Sequence, residues 1–441
     1  MIPSNYRPVS NLPVLSRVLE KAVFNQLIKY LESNKLIHPN HHGGRKGHNT
    51  ATALGQMLDQ WVEEVERGKL VGVMMTDLSS AYKMVPVSVL REKLGIFGLD
   101  MQALQWMESF LVGRRQSTCI DGKLSQPKTL DQGSPQGSNL APLLYVLFTA
   151  DIPDLAHTHP VSFSSPSTYC KDCGSTVAYI DDNTYSTGCD TPTELSQKLS
   201  AEYQRIQNYM ASKKLVLNDE KTSLLVFGNK SVSSGREQVV VQAGAHTITP
   251  SQSHVLLGAT VGQNLKWDDH ILRNKHSLMN QLRSRLNGLS LVCRYANFKT
   301  RLMVGQGIFL SKLCYLIQIW GGTSAQLIKN CQVMQNKAMQ IITGMHWFTP
   351  TGVLLQKCKV IINQSPTYLY NKIHPESTHN TRHSVKFGEN FTGKTERSQS
   401  SFCYRGVKLY NKIPLEITRV QNLQTFKAKL KTWIRINVTK E

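Results

Sequence analysis

Three carboxylates stand out by where they fall in the chain. Asp77 closes the apolar run Lys69-Leu-Val-Gly-Val-Met-Met-Thr-Asp77, and Asp181 and Asp182 interrupt Thr176-Val-Ala-Tyr-Ile-Asp-Asp-Asn-Thr-Tyr-Ser186, 104 residues beyond Asp77. The first run has the length and residue types of a buried strand. The second reads as two short strands with acids at the tip between them. Left unpaired in such places, each carboxylate would cost roughly several kcal/mol unless a cation neutralised it. Hard oxygen donors on rigid strands suit a pair of Mg²⁺ ions about 4 Å apart, with Mn²⁺ as a substitute. Such a pair activates an attacking hydroxyl and stabilises a departing pyrophosphate in phosphoryl transfer. The plainer reading of Asp181 and Asp182 is a polar hairpin turn, where Asp is common.

The elements that must position these acids follow from periodicity. Leu15, Val18, Leu19, Ala22, Val23, Leu27, Tyr30 and Leu31 recur on one helical face, with Ser10 or Asn11 to cap the start and Asn34 to end it. A loop rich in His and Gly spans 38–49; His38, His41, His42 and His48 read as loop residues near nucleic acid rather than as metal ligands. Helices are expected over 50–66, 87–94, 101–111 and 192–213, and an apolar one opens at Leu140 after the turn-rich loop 131–138. A strand is expected over 222–227 and a hairpin over 254–261. From about Leu265 to Thr343 the pattern is of basic helices, followed by weaker loops at 346–352 and 373–400 and a basic amphipathic helix near 423–436. The insert 155–175, rich in Ser, Pro and His, reads as a surface excursion. It carries Cys170 and Cys173, but no second CxxC or His pair completes four zinc ligands.

With 441 residues, 40% apolar side chains and 18% charged ones, the chain can bury a core of two to three domains and is not a disordered polyelectrolyte. The longest apolar stretch, Leu140 to Ala150, is too short to cross a bilayer, and the start has no basic region leading into an apolar core. Nine scattered cysteines suit a reducing compartment. Nucleus or cytoplasm, without secretion or membrane attachment, is the expected location. The net charge of +21 is unevenly placed: residues 1–262 balance to +1 and residues 263–441 to +20. A polyanion is the expected partner of the second part, since cationic surfaces release counterions from phosphate backbones whatever their sequence.

Seven segments, in order, carry a family likeness: Asn5-Tyr-Arg-Pro-Val-Ser-Asn-Leu-Pro, Gly44-Arg-Lys-Gly-His-Asn-Thr50, Asp77-Leu-Ser-Ser-Ala-Tyr82, Gln132-Gly-Ser-Pro-Gln-Gly-Ser138, Tyr179-Ile-Asp-Asp182, Leu217-Asn-Asp-Glu-Lys-Thr222 and Leu257-Gly258. Together they resemble the reverse transcriptases of non-long-terminal-repeat (LINE-type) retrotransposons. The resemblance implies an α+β right-hand polymerase with fingers, a palm of antiparallel sheet plus helices, a helical thumb and a basic C-terminal region. In this chain that places incomplete fingers at 1–70, palm at 71–230 with a finger insertion at 87–130, a primer-grip hairpin at 231–262, thumb at 263–345 and the basic C-terminal region at 346–441.

The implied activity is RNA-directed DNA synthesis on an RNA template with a DNA primer and deoxynucleoside triphosphates. The resemblance assigns Asp77, Asp181 and Asp182 as metal-binding catalytic carboxylates, with Asp182 in the lesser role, and Lys221 as the group that protonates pyrophosphate. It sets Arg7 near the triphosphate, Tyr82 beneath the incoming sugar, and Gln136 and Gly137 near the nucleotide, with Gly133 and Gly137 letting backbone come close. Plain alternatives are a structural ion pair for Arg7, palm packing for Tyr82, an ordinary turn for the glycines and a solvated surface for Lys221.

Two departures bear on activity. Lys83 stands where the family usually has an acid, and Met1 begins inside the fingers, so an N-terminally truncated reading frame without an upstream finger hairpin or endonuclease is expected. These favour a second reading, an inactive relic that keeps nucleic-acid binding. A third is a maturase-like RNA-folding cofactor.

Overall fold

Leu70–Thr76 (β1) is buried along its whole length, which is why LVGVMMT shows no apolar–polar alternation. It lies inside a four-stranded antiparallel sheet of order β6-β7-β1-β8, with β6 at Ser175–Tyr179, β7 at Asp182–Cys189 and β8 at Ser223–Phe227. The computed structural model describes residues 10–76, 85–130, 132–135, 137–156, 174–228, 233–244, 246–358 and 413–418, with 425, 428–430 and 432–433. They form a mixed α+β protein of helices and antiparallel strands.

The chain divides into two units, 1–53 with 67–251 and 54–66 with 252–441. The first is built on the four-stranded sheet. Ala141–Phe148 (α5) is apolar on all sides, and every one of its residues except Pro142 is buried. Pro192–Ser212 (α6) buries the stripe Leu195, Leu199, Tyr203, Ile206 and Met210, spaced by three and four. It crosses the sheet so closely at Gly72 that a Cβ there would stand 2.6 Å from Leu199 Cδ1. Val14–Ser33 (α1), Val87–Ile96 (α3) and Met101–Leu111 (α4) complete the helices of the first unit, while of Thr50–Glu66 (α2) only residues 50–53 belong to it. Helix α1 starts after Pro13 with no side-chain cap, so neither Ser10 nor Asn11 plays the expected part, while Asn34 does end it.

Three short ladders were not anticipated. Arg114–Gln116 pairs with Lys128–Leu130 (β2, β5), and inside it Cys119–Ile120 pairs with Lys123–Leu124 (β3, β4), giving a largely exposed double hairpin. Val241–Ala243 and His246–Ile248 (β9, β10) form a small hairpin held to α6, whose Ser196 and Ser200 hydroxyls accept from the Val240 and Gln242 amides at 3.1 and 3.0 Å.

The second unit begins with the expected hairpin, Ser253–Leu256 with Ala259–Gly262 (β11, β12). The Tyr315 hydroxyl donates to Leu257 O at 2.8 Å in its turn, and the Thr260 amide donates to His270 Nδ1 at 3.2 Å. Helices follow at Leu278–Cys293 (α7), Phe298–Val304 (α8), Ser311–Cys314 (α9), Ile317–Trp320 (α10), Ala325–Thr343 (α11) and Thr351–Cys358 (α12). A π-helical stretch, Gly305–Leu310, joins α8 to α9. The C-terminal helix expected near 423–436 is described only at its scattered helical positions.

Candidate active site

Register decides which residues meet. Thr76 pairs with Asn183 across β1 and β7, Tyr179 with Asp182 across β6 and β7, and Met75 with Ser223 across β1 and β8. One end of the sheet therefore gathers the last residue of β1, the Ile180-Asp181 tip with Asp182 at the head of β7, and the start of β8. Neighbouring strands lie about 4.8 Å apart with a rise of about 3.3 Å per residue, so Asp182 and Ser223, two strands apart and two residues out of level, are separated by roughly 12 Å.

The hairpin tip is conformationally costly. Its loop has two residues, and the first, β-branched Ile180, has φ +61°, a region such residues avoid. Asp181 is half-buried and Asp182 exposed. Neighbouring backbone fixes the turn. Residues 38–43 run along β6 as an added edge: Ala178 N donates to Asn40 O at 3.0 Å, His42 N to Ala178 O at 2.9 Å and Asn40 Nδ2 to Thr176 O at 3.0 Å. A Cβ on Gly43 would lie 2.2 Å from Ile180 Cγ1 and 2.8 Å from Ile180 N, so only glycine fits against the tip.

That edge is held by an ion pair the sequence did not reveal. Arg45 Nε and Nη2 donate to the two oxygens of Glu32 on α1 at 2.7 and 2.9 Å, while Nη1 donates to the His38 and His41 carbonyls, both at 2.9 Å. Burial would raise the Glu32 carboxyl, but the Arg45 hydrogen bond and charge outweigh it and hold the group below its usual range. Asn49 then caps α2 through Oδ1, which accepts from the Ala51 and Thr52 amides at 2.9 and 3.0 Å.

The expectation for the loop histidines is corrected in part. His41 and His42 are buried: His41 Nε2 meets Thr149 O at 3.1 Å and His42 Nδ1 meets Thr52 Oγ1 at 2.9 Å. Burial drives His41 down to about 4, so it is neutral at physiological pH and serves packing.

Lys221 stands at the same sheet end. It closes the 3-10 turn Asp219–Lys221, which leads into β8; Asn218 Oδ1 accepts from its amide at 3.3 Å, and the Tyr203 hydroxyl donates to Asp219. The Lys221 side chain is exposed.

In the loop before α5, Gly133 and Gly137 have φ +78° and +104°. A Cβ on Gly137 would lie 3.3 Å from Ser10 O, so the close approach it allows is to the protein's own backbone. Ser138 Oγ and Asn139 N donate to Glu20 Oε2 at 2.6 and 2.8 Å, and Ser16 Oγ donates to Glu20 Oε1 at 3.0 Å. Glu20 is a buried acid on α1 that anchors this loop.

Asp77, Arg7, Tyr82, Lys83, Gln136, Cys170 and Cys173 lie outside the described residues. Among the described residues no three His, Cys, Asp or Glu side chains form a metal-holding group, and no helix is long and apolar enough to cross a membrane.

The family model described as reverse transcriptase (RNA-dependent DNA polymerase) matches residues 3–261. The RNA-directed DNA polymerase from mobile element jockey of Drosophila funebris is 27% identical over 354 residues, covering 79% of this chain and 36% of the relative. The probable RNA-directed DNA polymerase from transposon X-element of Drosophila melanogaster is 25% identical over 372 residues, 81% of this chain and 38% of the relative. The chain thus spans little more than a third of the length of these relatives. Apo telomerase from Candida tropicalis aligns with 97% of this chain and 60% of its own at 12% identity, with a TM-score of 0.45.

Proposed function

The chain belongs to the reverse transcriptase (RNA-dependent DNA polymerase) family, and from that premise we propose that it extends a DNA primer on an RNA template. The observation that carries this reading is the register Thr76↔Asn183 and Met75↔Ser223. It gathers Asp181, Asp182, Lys221 and the strand that runs into Asp77 at one end of one rigid sheet.

In this reading the sheet with α5 and α6 is the palm, residues 1–70 and 87–130 belong to the fingers, and the helices after residue 263 form the thumb. The β11–β12 hairpin grips the primer terminus. Asp181 and Asp182 supply hard oxygen donors side by side, and Asp77 completes the set; this chemistry fits Mg²⁺ or Mn²⁺. The chemistry such ions would supply there is acidification of the primer 3′-hydroxyl and neutralisation of charge on the departing pyrophosphate. Asp77 and Asp181 would be the direct ligands of both ions, with Asp182 in the lesser role. Lys221, on a turn fixed by Asn218 and Asp219, gives its proton to the pyrophosphate as the bond to the α-phosphorus breaks. Arg7 pairs with the triphosphate, the Tyr82 ring underlies the sugar and excludes a 2′-hydroxyl, and Gln136 with Gly137 borders the nucleotide.

Primer extension on an RNA template tests the proposal. Deoxynucleotide incorporation should require Mg²⁺ or Mn²⁺ and stop when the metal is chelated. A wild-type chain that binds template-primer yet incorporates nothing with either metal would establish the inactive relic, the reading that Lys83 favours.

Gly43 gives a prediction specific to this fold. Gly43→Ala should cost about 1–3 kcal/mol of stability, the usual penalty of overpacking. It should also lower incorporation several-fold beyond what the folded fraction explains, because the clash falls on the turn that aims Asp181. Thermal melting and primer extension on the same sample separate the two effects. A variant with wild-type activity per folded molecule would show that the edge segment does not hold the tip.

A further inference from the structure

One end of the second unit combines exposed aromatic rings with a stretch of chain that is basic throughout. Residues 270–358 hold eleven Lys or Arg and no Asp or Glu. Within this stretch α7 ends at Cys293 and α11 at Thr343. The loops that follow are brought together by Arg301, whose Nε donates to Ala296 O at 2.7 Å and whose Nη1 lies 3.8 Å from where a Gly344 Cβ would stand. Tyr295 on the first loop is 92% exposed; Trp347 and Phe348 on the second are 77% and 69% exposed.

Trp347 and Phe348 are held in place rather than dangling. His346 and Phe348 centroids are 4.1 Å apart, Trp347 and Phe348 meet edge to face at 5.8 Å, and Gln340 Nε2 donates to Trp347 O at 2.8 Å. Large rings left in water cost free energy unless a partner covers them. The charge selects the partner: with no acid among 89 consecutive residues, the surface attracts a polyanion, and rings beside cations are what unpaired bases stack upon. A duplex hides its base faces and offers phosphate alone, which lysine and arginine would bind without Trp347.

We propose that Tyr295, Trp347 and Phe348, flanked by Arg294, Lys299 and Arg301, form a stacking platform for single-stranded nucleic acid on the second unit. It binds sequence-tolerantly, by ring faces and phosphate attraction. The proposal rests on the nucleic-acid reading of the chain but not on catalysis. The platform lies within the second unit and serves strand that is not yet, or no longer, paired.

Fluorescence anisotropy with the full chain tests it, using labelled single-stranded 20-mers of RNA and of DNA, a 20-base-pair duplex, and vesicles of mixed zwitterionic and anionic lipid. The double variant Trp347→Ala, Phe348→Ala should bind RNA single strands, DNA single strands or both at least tenfold more weakly, given the usual effect of deleting base-stacking rings. Duplex affinity should change less than about twofold, and the salt slope should stay as in wild type because no charge is removed. Trp347→Phe should restore most of the loss. Both rings are exposed, so circular dichroism and melting should match wild type. Equal weakening for duplex and single strand, no weakening at all, or weakening confined to vesicles would overturn the proposal. Asp181→Ala measured alongside should bind single strands normally, so a failure of the polymerase reading and a failure of the platform give different results.

Discussion

Asp181→Ala should lower deoxynucleotide incorporation by about a thousandfold, while template-primer affinity and thermal stability stay within the error of the wild-type values. Asp181 is half-buried at a two-residue tip, and surface replacements away from special features usually move stability by only about 0.5 kcal/mol. The tip conformation is held by Gly43 packing on Ile180 and by the 38–43 edge. Loss of rate with the fold intact therefore reports chemistry. Asp182→Ala should cost less, since Asp182, the first residue of β7, is exposed. Primer extension with single-turnover timing separates incorporation from product release. Residual activity within tenfold of wild type in Asp181→Ala would remove this carboxylate from the reaction, and with it the reason to gather three acids at the sheet end.

Local pattern carried the regular elements, and long-range pairing carried the rest. Helices α2 and α4 span the residues that periodicity predicts, and α6 ends one residue early. The acids at the β6–β7 tip were legible because an apolar run broken by two carboxylates has few other structures open to it. Glu20 was not legible: it sits between Leu19 and Lys21 as any helical surface acid would, and only Ser138, 118 residues away, explains its burial. Arg45 and Glu32 likewise needed the path of the chain between them. His41 and His42 read as loop residues since their partners, Thr149 and Thr52, come from helix-forming segments that give no sign of accepting them. The double hairpin over 114–130 escaped notice because its strands are two or three residues long and exposed, with no buried face to write a pattern. Glycine at 43 looked like one more loop glycine. Its role appears only when Ile180 is set against it.

Acid should unfold the second unit while the first holds. His270 is buried against β12, where its Nδ1 accepts from Thr260 N. Burial, helped by the charge of Lys312, lowers it to about 4. A histidine that resists protonation when folded contributes stability that is complete above the unfolded value of about 6.5 and is lost as pH falls from there toward 4. Burial also lowers His254, on β11 of the same unit, so it acts in the same direction. A drop from 6.5 to about 4 corresponds to roughly 3 kcal/mol at most for His270. In the first unit His41, lowered to about 4, has the same sign, but Glu202 opposes it. Burial raises the Glu202 carboxyl to about 7 against the pull of Arg205. A carboxyl that prefers its proton when folded gains stability as pH falls from 7 toward 4.5. The two are similar in size and opposite in sign, so the first unit should change little over that range. Hydrogen exchange at pH 7 and pH 5, corrected for intrinsic rates, should show α7, α11 and β12 losing protection while β1, α5 and α6 keep theirs. His270→Gln, which retains an acceptor for the Thr260 amide, should remove most of the pH dependence of the second unit. Protection lost first in β1 and α6 would mean that Glu202 does not hold its proton in the folded chain and leaves the acid-labile groups of that unit, His41 among them, without an opponent.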